Sequence, residues 1–209
     1  MPKFYVTPLV HPAAIVRGAF ELEPCQEAYL RRLLANPYPV LPDLTQPPPN
    51  SKLYPTIEEM YEHLETCRQL GAASFDVEAC GPWPICVGVT AFSLDTGEAG
   101  PSLCARFRVR GGARYWTAWS DHVRATRWLY EFLSDTSFTK LAHNGTGFDI
   151  PELEALGFKV EGVVLDSLIM AHAAWAELPV GLAFQANLFA DAMYWKHLVD
   201  QDAEEEGKG

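Results

Sequence analysis

The sequence predicts a mixed α/β fold, one sheet with helices on its faces, joined to a small N-terminal strand–helix appendage. Three observations lead there. Segments of helix and strand periodicity follow one another from residue 57 to 190 in the order α, β-β-β, α, β, α, β, α, α, the pattern of a layered sheet-and-helix domain. Seven prolines (Pro37, Pro39, Pro42, Pro47, Pro48, Pro49 and Pro55) crowd the stretch from Asn36 to Pro55. They exclude helix and central strand there, so 37–55 reads as an extended linker. Finally, 209 residues of 48% apolar composition suffice for a packed core, as one domain with an appendage or as two small domains.

Within 1–36, Phe4 to Val10 reads as a strand that runs into a loop at His11-Pro12, and 23–34 has helical spacing with Tyr29, Leu30, Leu33 and Leu34 on one side. After the linker, Thr56 followed by Glu59 is a capping-box pattern that opens a helix over 57–70, closed by Gly71. Its apolar face is Ile57, Met60, Tyr61, Leu64 and Cys67. Strands are expected at 73–79, 85–94 and 102–109, separated by turns containing Gly or Asp. A helix over 121–133 and a short strand over 139–143 follow. The remaining expectations are a helix at 149–156, a strand at 160–165, and helices at 167–175 and 182–190. The tail from 197 to 209 is acidic, with five carboxylates between Asp200 and Glu206.

The net charge of −11 argues against a protein that holds nucleic acid by a broad basic face. It does not exclude carboxylates gathered around divalent cations. Five cysteines without a C-x-x-C pair argue against a disulfide scaffold or a structural zinc site, and read as buried, reduced thiols. No apolar run reaches the ~18 residues of a membrane-spanning helix. The N-terminus carries no signal-peptide pattern. A cytoplasmic protein without a membrane partner is the expectation.

Two segments carry chemistry. Asp76-Val77-Glu78 places two carboxylates at i and i+2 on a strand, hence on one face. Like charges so placed are costly unless neutralised, and a divalent cation or a wet edge-strand face would each do it. The second segment, His143-Asn144-Gly145-Thr146-Gly147-Phe148-Asp149, takes a strand through a glycine-rich turn into a helix that opens at Asp149. An acid in a first helical turn also complements the helix dipole. Together, three carboxylates sit at the ends of neighbouring elements of one sheet. Phe148 reads as core. Arg106, Arg108, Arg110 and Arg114 alternate along or after a strand, as phosphate contacts or as a solvated face. Trp116, Trp119 and Trp128 read as packing residues.

From Leu53 to Lys196, about two-thirds of the chain, these motifs resemble the 3′→5′ proofreading exonuclease domain of family A DNA polymerases, in the DEDD superfamily. Asp76-Val77-Glu78 is similar to the first exonuclease motif and the segment from His143-Asn144 to Phe148-Asp149 to the second. Asp166-Ser167-Leu168 is similar to the segment that follows. The resemblance implies a ribonuclease H-like fold for 56–196, with Asp76, Glu78 and Asp149 as catalytic metal ligands. It also implies two Mg²⁺ or Mn²⁺ ions for phosphodiester hydrolysis at a DNA 3′ end, single strands preferred, and a polymerase partner on a separate or downstream chain. His143 and Asn144 would contact the terminal nucleotide. Asp166 is expected to cap the helix that follows it. The pattern departs at the fourth carboxylate. Tyr194 has no Asp four residues on, and His197 to Asp202 fits H-x-x-x-x-D only within the acidic tail, leaving Asp202 as the candidate fourth ligand. A chain that stops before the motif is the simpler expectation, with weak metal binding and a catalytically impaired nucleic-acid-binding module as the alternative function. Upstream, Val6 to Arg17, with His11-Pro12-Ala13, resembles the H-P-(S/A) loop of uracil-DNA glycosylases. That family's His contacts uracil, but glycosylase activity is not expected here.

Overall fold

The computed structural model describes residues 27, 30–31, 34–35, 49–80, 83–109 and 111–190, side chains at 80 and 187 excepted. Two compact units divide the chain, one of Pro47–Met170 and one combining Met1–Gln46 with Ala171–Gly209. The first unit holds β1 (Ser51–Lys52), α1 (Ile57–Leu70), β2 (Gly71–Cys80), β3 (Trp83–Ser93), β4 (Ala99–Arg106), α2 (Trp119–Ser134), β5 (Thr139–Ala142), α3 (Asp149–Ala155) and β6 (Val164–Asp166). α4 (Ser167–Ala174) begins in it, and α5 (Leu182–Ala190) belongs to the second unit. Among the described residues of the second unit, Trp175 stacks on Phe189 at 4.7 Å, and Glu27 pairs with Arg31 one helical turn away. The glycosylase-like segment around His11 and the acidic tail lie outside the described residues.

Among the described residues, six strands form one mixed sheet in the order β1-β4-β3-β2-β5-β6. β2, β3 and β4 are antiparallel neighbours, whereas β5 and β6 add in parallel beyond β2. This is the expected α/β, ribonuclease H-like arrangement, with β2 in the interior. One strand is new relative to the sequence reading: Ser51–Lys52, inside the proline-rich stretch, pairs in parallel with β4 at Ser102 and Leu103. Two residues between prolines carry no periodicity, so only the edge of β4 reveals them.

α1 is closed at both ends as read from sequence. Thr56 and Glu59 form the reciprocal capping box, and Gly71 adopts φ 80° in the left-handed cap. Its buried face is Ile57, Met60, His63, Leu64 and Cys67, so His63 takes the place expected of Tyr61. Burial drives the His63 imidazole down from its ordinary pKa, and Nε2 lies 3.0 Å from the Pro101 carbonyl. On α2, Ala125, Trp128, Leu129, Phe132 and Leu133 turn inward at i, i+3, i+4, i+7 and i+8. Phe132 stands between Phe75, Trp128 and Phe138 at 6.1, 5.7 and 5.5 Å. Each such ring contributes about 2–3 kcal/mol on burial. Trp128 also donates Nε1–H to the Met60 carbonyl at 2.6 Å, tying α2 to α1. β6 begins at Val164 rather than at 160, because Gly162 turns the chain at φ 84° just before it.

Candidate active site

Period-two alternation does on β2 what the sequence implied. Ala73, Phe75 and Val77 are buried, while Asp76 and Glu78 are exposed on the other face. Asp76 lies opposite Gly88 and Glu78 opposite Cys86 on β3. No side chain therefore faces Asp76 across the ladder. Between Glu78 and Ala79 the register slips, and the ladder ends at the Cys80–Trp83 pair. The thiols on this side are not buried as expected: Cys86 and Cys104 are half-buried, and only Cys67 among the described cysteines is in the core.

Asp149 opens α3 and is only 3% exposed. Its Oδ1 accepts a hydrogen bond at 2.9 Å from the backbone N–H of Val77, the residue between Asp76 and Glu78. The second motif is thereby fastened to the first. Burial pushes the Asp149 carboxyl above the usual carboxylate range, against the pull of the Val77 N–H, and the charges of Asp76 and Asp166 add to the rise. Excess negative charge is thus concentrated at this point of the sheet.

The turn that delivers Asp149 is held from beneath by Asp166, the last residue of β6. Asp166 Oδ1 accepts from the N–H groups of Asn144 (2.9 Å) and Leu168 (3.0 Å). Oδ2 accepts from the N–H and hydroxyl of Thr146, at 3.1 and 2.7 Å. Burial raises this carboxyl, but the four donors outweigh it and hold its pKa below the ordinary value. Asp166 caps α4 as expected and also braces the turn, a role for Thr146 that the sequence did not disclose. Asn144 sits at φ 61°, a conformation Asn tolerates better than most residues. Gly145 is required by contact: a Cβ there would lie 2.4 Å from Ala142 Cβ, whereas one at Gly147 would meet only the movable amide of Asn144, 2.6 Å from Oδ1. His143 Nδ1 is 2.9 Å from the Ser167 hydroxyl. Phe148 departs from the expected core position. At half exposure it stands on the surface beside Asp149, because the turn spends its buried positions on Gly145 and Asp149.

Among the described residues, no three His, Cys, Asp or Glu side chains converge as they stand into a group able to hold a metal ion. Asp149 is committed to the Val77 N–H, while Asp76 and Glu78 are exposed and make no hydrogen bond among the described residues. The donor chemistry nonetheless fits: carboxylate oxygens alone suit hard divalent cations such as Mg²⁺ or Mn²⁺. Asp149 is a buried carboxylate beside the Asp76 charge, and a bound cation would stabilise its ionised form. Asp202, the candidate fourth ligand, lies outside the described residues.

No protein-family model matches the chain, and no curated protein matches its sequence. Solved structures do resemble it. The EXO domain of Aedes aegypti Nibbler is 13% identical at a TM-score of 0.51, over 75% of each chain, and shares the fold. The catalytic core of RRP6 from Trypanosoma brucei is 15% identical at 0.49, over 74% of this chain and 38% of that one. Escherichia coli RNase D, an exoribonuclease involved in structured RNA processing, is 19% identical at 0.46, over 70% of this chain. The chain spans about 35% of that RNase D structure.

Proposed function

We propose that the chain is a 3′→5′ exonuclease of the DEDD type, which removes nucleotides from the 3′ end of single-stranded DNA. The hydrogen bond from Val77 to Asp149 carries the reading, since it ties the helix that opens at Asp149 to the strand that bears Asp76 and Glu78. Similarity of fold to an exonuclease domain supports it. Asp76, Glu78 and Asp149 would hold two divalent cations. Such cations, when bound, supply charge neutralisation at phosphate and a more acidic bound water. Asp149 keeps its place through the Val77 N–H, and Asp166 holds the turn from which His143 and Asn144 would face the terminal nucleotide. Proofreading beside a DNA polymerase in the cytoplasm is the proposed setting. A second reading, a nucleic-acid-binding module with impaired turnover, draws on the lack of a converged metal group among the described residues.

Degradation of a labelled single strand in Mg²⁺ and in Mn²⁺ tests the proposal, with DNA and RNA of one sequence compared. Stepwise shortening from the 3′ end, abolished in Asp76→Asn, is the expected result. Binding without shortening in either metal would establish the second reading instead.

A further inference from the structure

Past the register slip on β2, the end of the sheet carries aromatic rings and arginines. Arg108 and Arg114 face each other as an antiparallel bridge, closed by a tight turn in which Val109 N–H donates to Ala113 O at 2.9 Å. Like charges placed directly opposite repel one another. Yet among the described residues neither arginine pairs with a carboxylate, whereas Arg68, Arg124 and Arg127 all do. Each is instead laid on an indole: Arg108 is 4.8 Å from the Trp83 ring and Arg114 is 5.1 Å from the Trp119 ring. Trp83 is 49% exposed and Trp119 is 64% exposed, so Trp119 is not the packing residue its sequence suggested. His122 sits against Trp119 at 5.4 Å, and its buried Nδ1 has no hydrogen-bond partner among the described residues. Burial, then the charges of Arg114 and Arg108, depress its pKa and favour the neutral ring.

This rim stands at the same end of β2 as the carboxylates, on the face that Val77 shares. Trp83 pairs with Cys80, two residues beyond Glu78, and lines a small cleft with Val77, Glu152 and Leu153. Val77 is the residue that holds Asp149. In a chain of net charge −11, two arginines on exposed indoles, neither paired with a carboxylate among the described residues and Arg108 donating to the Gly112 carbonyl at 2.6 Å, are a local complement to phosphates and bases. We propose that Trp83, Arg108, Arg114 and Trp119 bind the single strand upstream of the nucleotide at the carboxylates, the indoles stacking bases and the guanidiniums holding phosphates. The inference rests on the exonuclease reading and extends it to the path of the substrate. Neither stacking nor phosphate contact reads the 2′-hydroxyl, so DNA and RNA single strands bind the rim alike.

The test uses the full chain. Anisotropy of labelled DNA and RNA oligomers in EDTA measures binding without cleavage, and thermal melting checks that each variant folds. Trp119→Ala is expected to weaken binding about 5- to 150-fold, the range of one base stack. Arg108→Gln and Arg114→Gln each lower the slope of log affinity against log salt by about 0.7. Arg108→Lys, which keeps charge but not the planar fork, restores the slope. Unchanged affinity and slope in these variants, or equal losses on duplex DNA, would overturn the inference. Hydrolysis of a dinucleotide, which has no upstream strand to lay on the rim, separates the two proposals. If the rim variants cleave it at the wild-type rate while Asp76→Asn does not, and long strands are cleaved poorly, both stand. If wild-type protein cleaves nothing but the rim variants lose binding, the exonuclease reading fails and the rim remains a binding surface.

Discussion

Replacing Asp166 by Asn tests how the turn at the candidate site is held. The carboxylate accepts four hydrogen bonds, from Asn144, Leu168 and twice from Thr146. An amide can still offer one oxygen to the Asn144 and Leu168 N–H groups. Its nitrogen then faces the Thr146 N–H, donor against donor, and the hydroxyl must turn round to accept. The Thr146 N–H, only partly buried, loses its acceptor at about 1 kcal/mol, and the remaining bonds lose the strength a charged acceptor gives. A destabilisation of about 2–3 kcal/mol at neutral pH follows, or about 1 M in the urea midpoint for a slope of about 2 kcal/mol/M. The sign with pH is fixed by the lowered folded-state pKa of Asp166. Its stabilisation is present above the unfolded-state value of about 3.9 and is lost as pH falls through the folded value. The gap between wild type and Asp166→Asn should therefore be constant from neutrality to about pH 5 and shrink on further acidification. Urea titrations by circular dichroism at pH 7, 5 and 3 provide the measurement. A gap below about 0.5 kcal/mol at pH 7, or one that does not change on acidification, would refute the bracing role assigned to Asp166.

Three further outcomes are expected. Asp149→Asn removes a charge whose folded-state pKa is raised, so the wild-type penalty is present at neutral pH and absent in acid. The variant, which keeps an oxygen for Val77, should gain on the order of 1 kcal/mol at pH 7 while losing nuclease activity, read by calorimetry and oligonucleotide shortening. Gly145→Ala would push a methyl to 2.4 Å from Ala142 Cβ and displace the turn. Activity should fall with a loss of about 1–3 kcal/mol, and unimpaired shortening would show that the turn is dispensable. Alkylation should distinguish two adjacent thiols. The neighbouring Cys86 thiol, then the Arg106 charge, lowers Cys104 to about 6, while Cys104 and burial drive Cys86 upward. Iodoacetamide at pH 7 should therefore label Cys104 well ahead of Cys86 by peptide mass spectrometry.

Features written in local chemistry were legible in the sequence. Thr56, Glu59 and Gly71 delimit α1 through side-chain and backbone preferences that need no distant partner. The alternation Phe75-Asp76-Val77-Glu78 likewise assigns both carboxylates to one face before any contact is known. What escaped depends on partners far along the chain. Ser51–Lys52 is a strand only because β4 offers an edge, and His63 is buried because Pro101, 38 residues away, accepts from it. Lys140 looks like a solvated residue in a short strand, yet it is fully buried with its ammonium on the Asp135 and Glu161 carbonyls. At the site, the sequence named Asp76, Glu78 and Asp149 but not the Val77 amide that joins them or the arrangement of Trp83 and Trp119 on arginines.

The ladder between β2 and β5 ends at Ser74, so farther along β2 the backbone has a strand neighbour on the β3 side only. Asp149 closes that open flank by taking the Val77 N–H. One amide proton thereby becomes a spectroscopic witness to the carboxylate. Any event that draws electron density from Asp149, whether protonation in acid or titration with Mg²⁺, should move the Val77 amide resonance and alter its solvent exchange, even in a preparation that cleaves nothing.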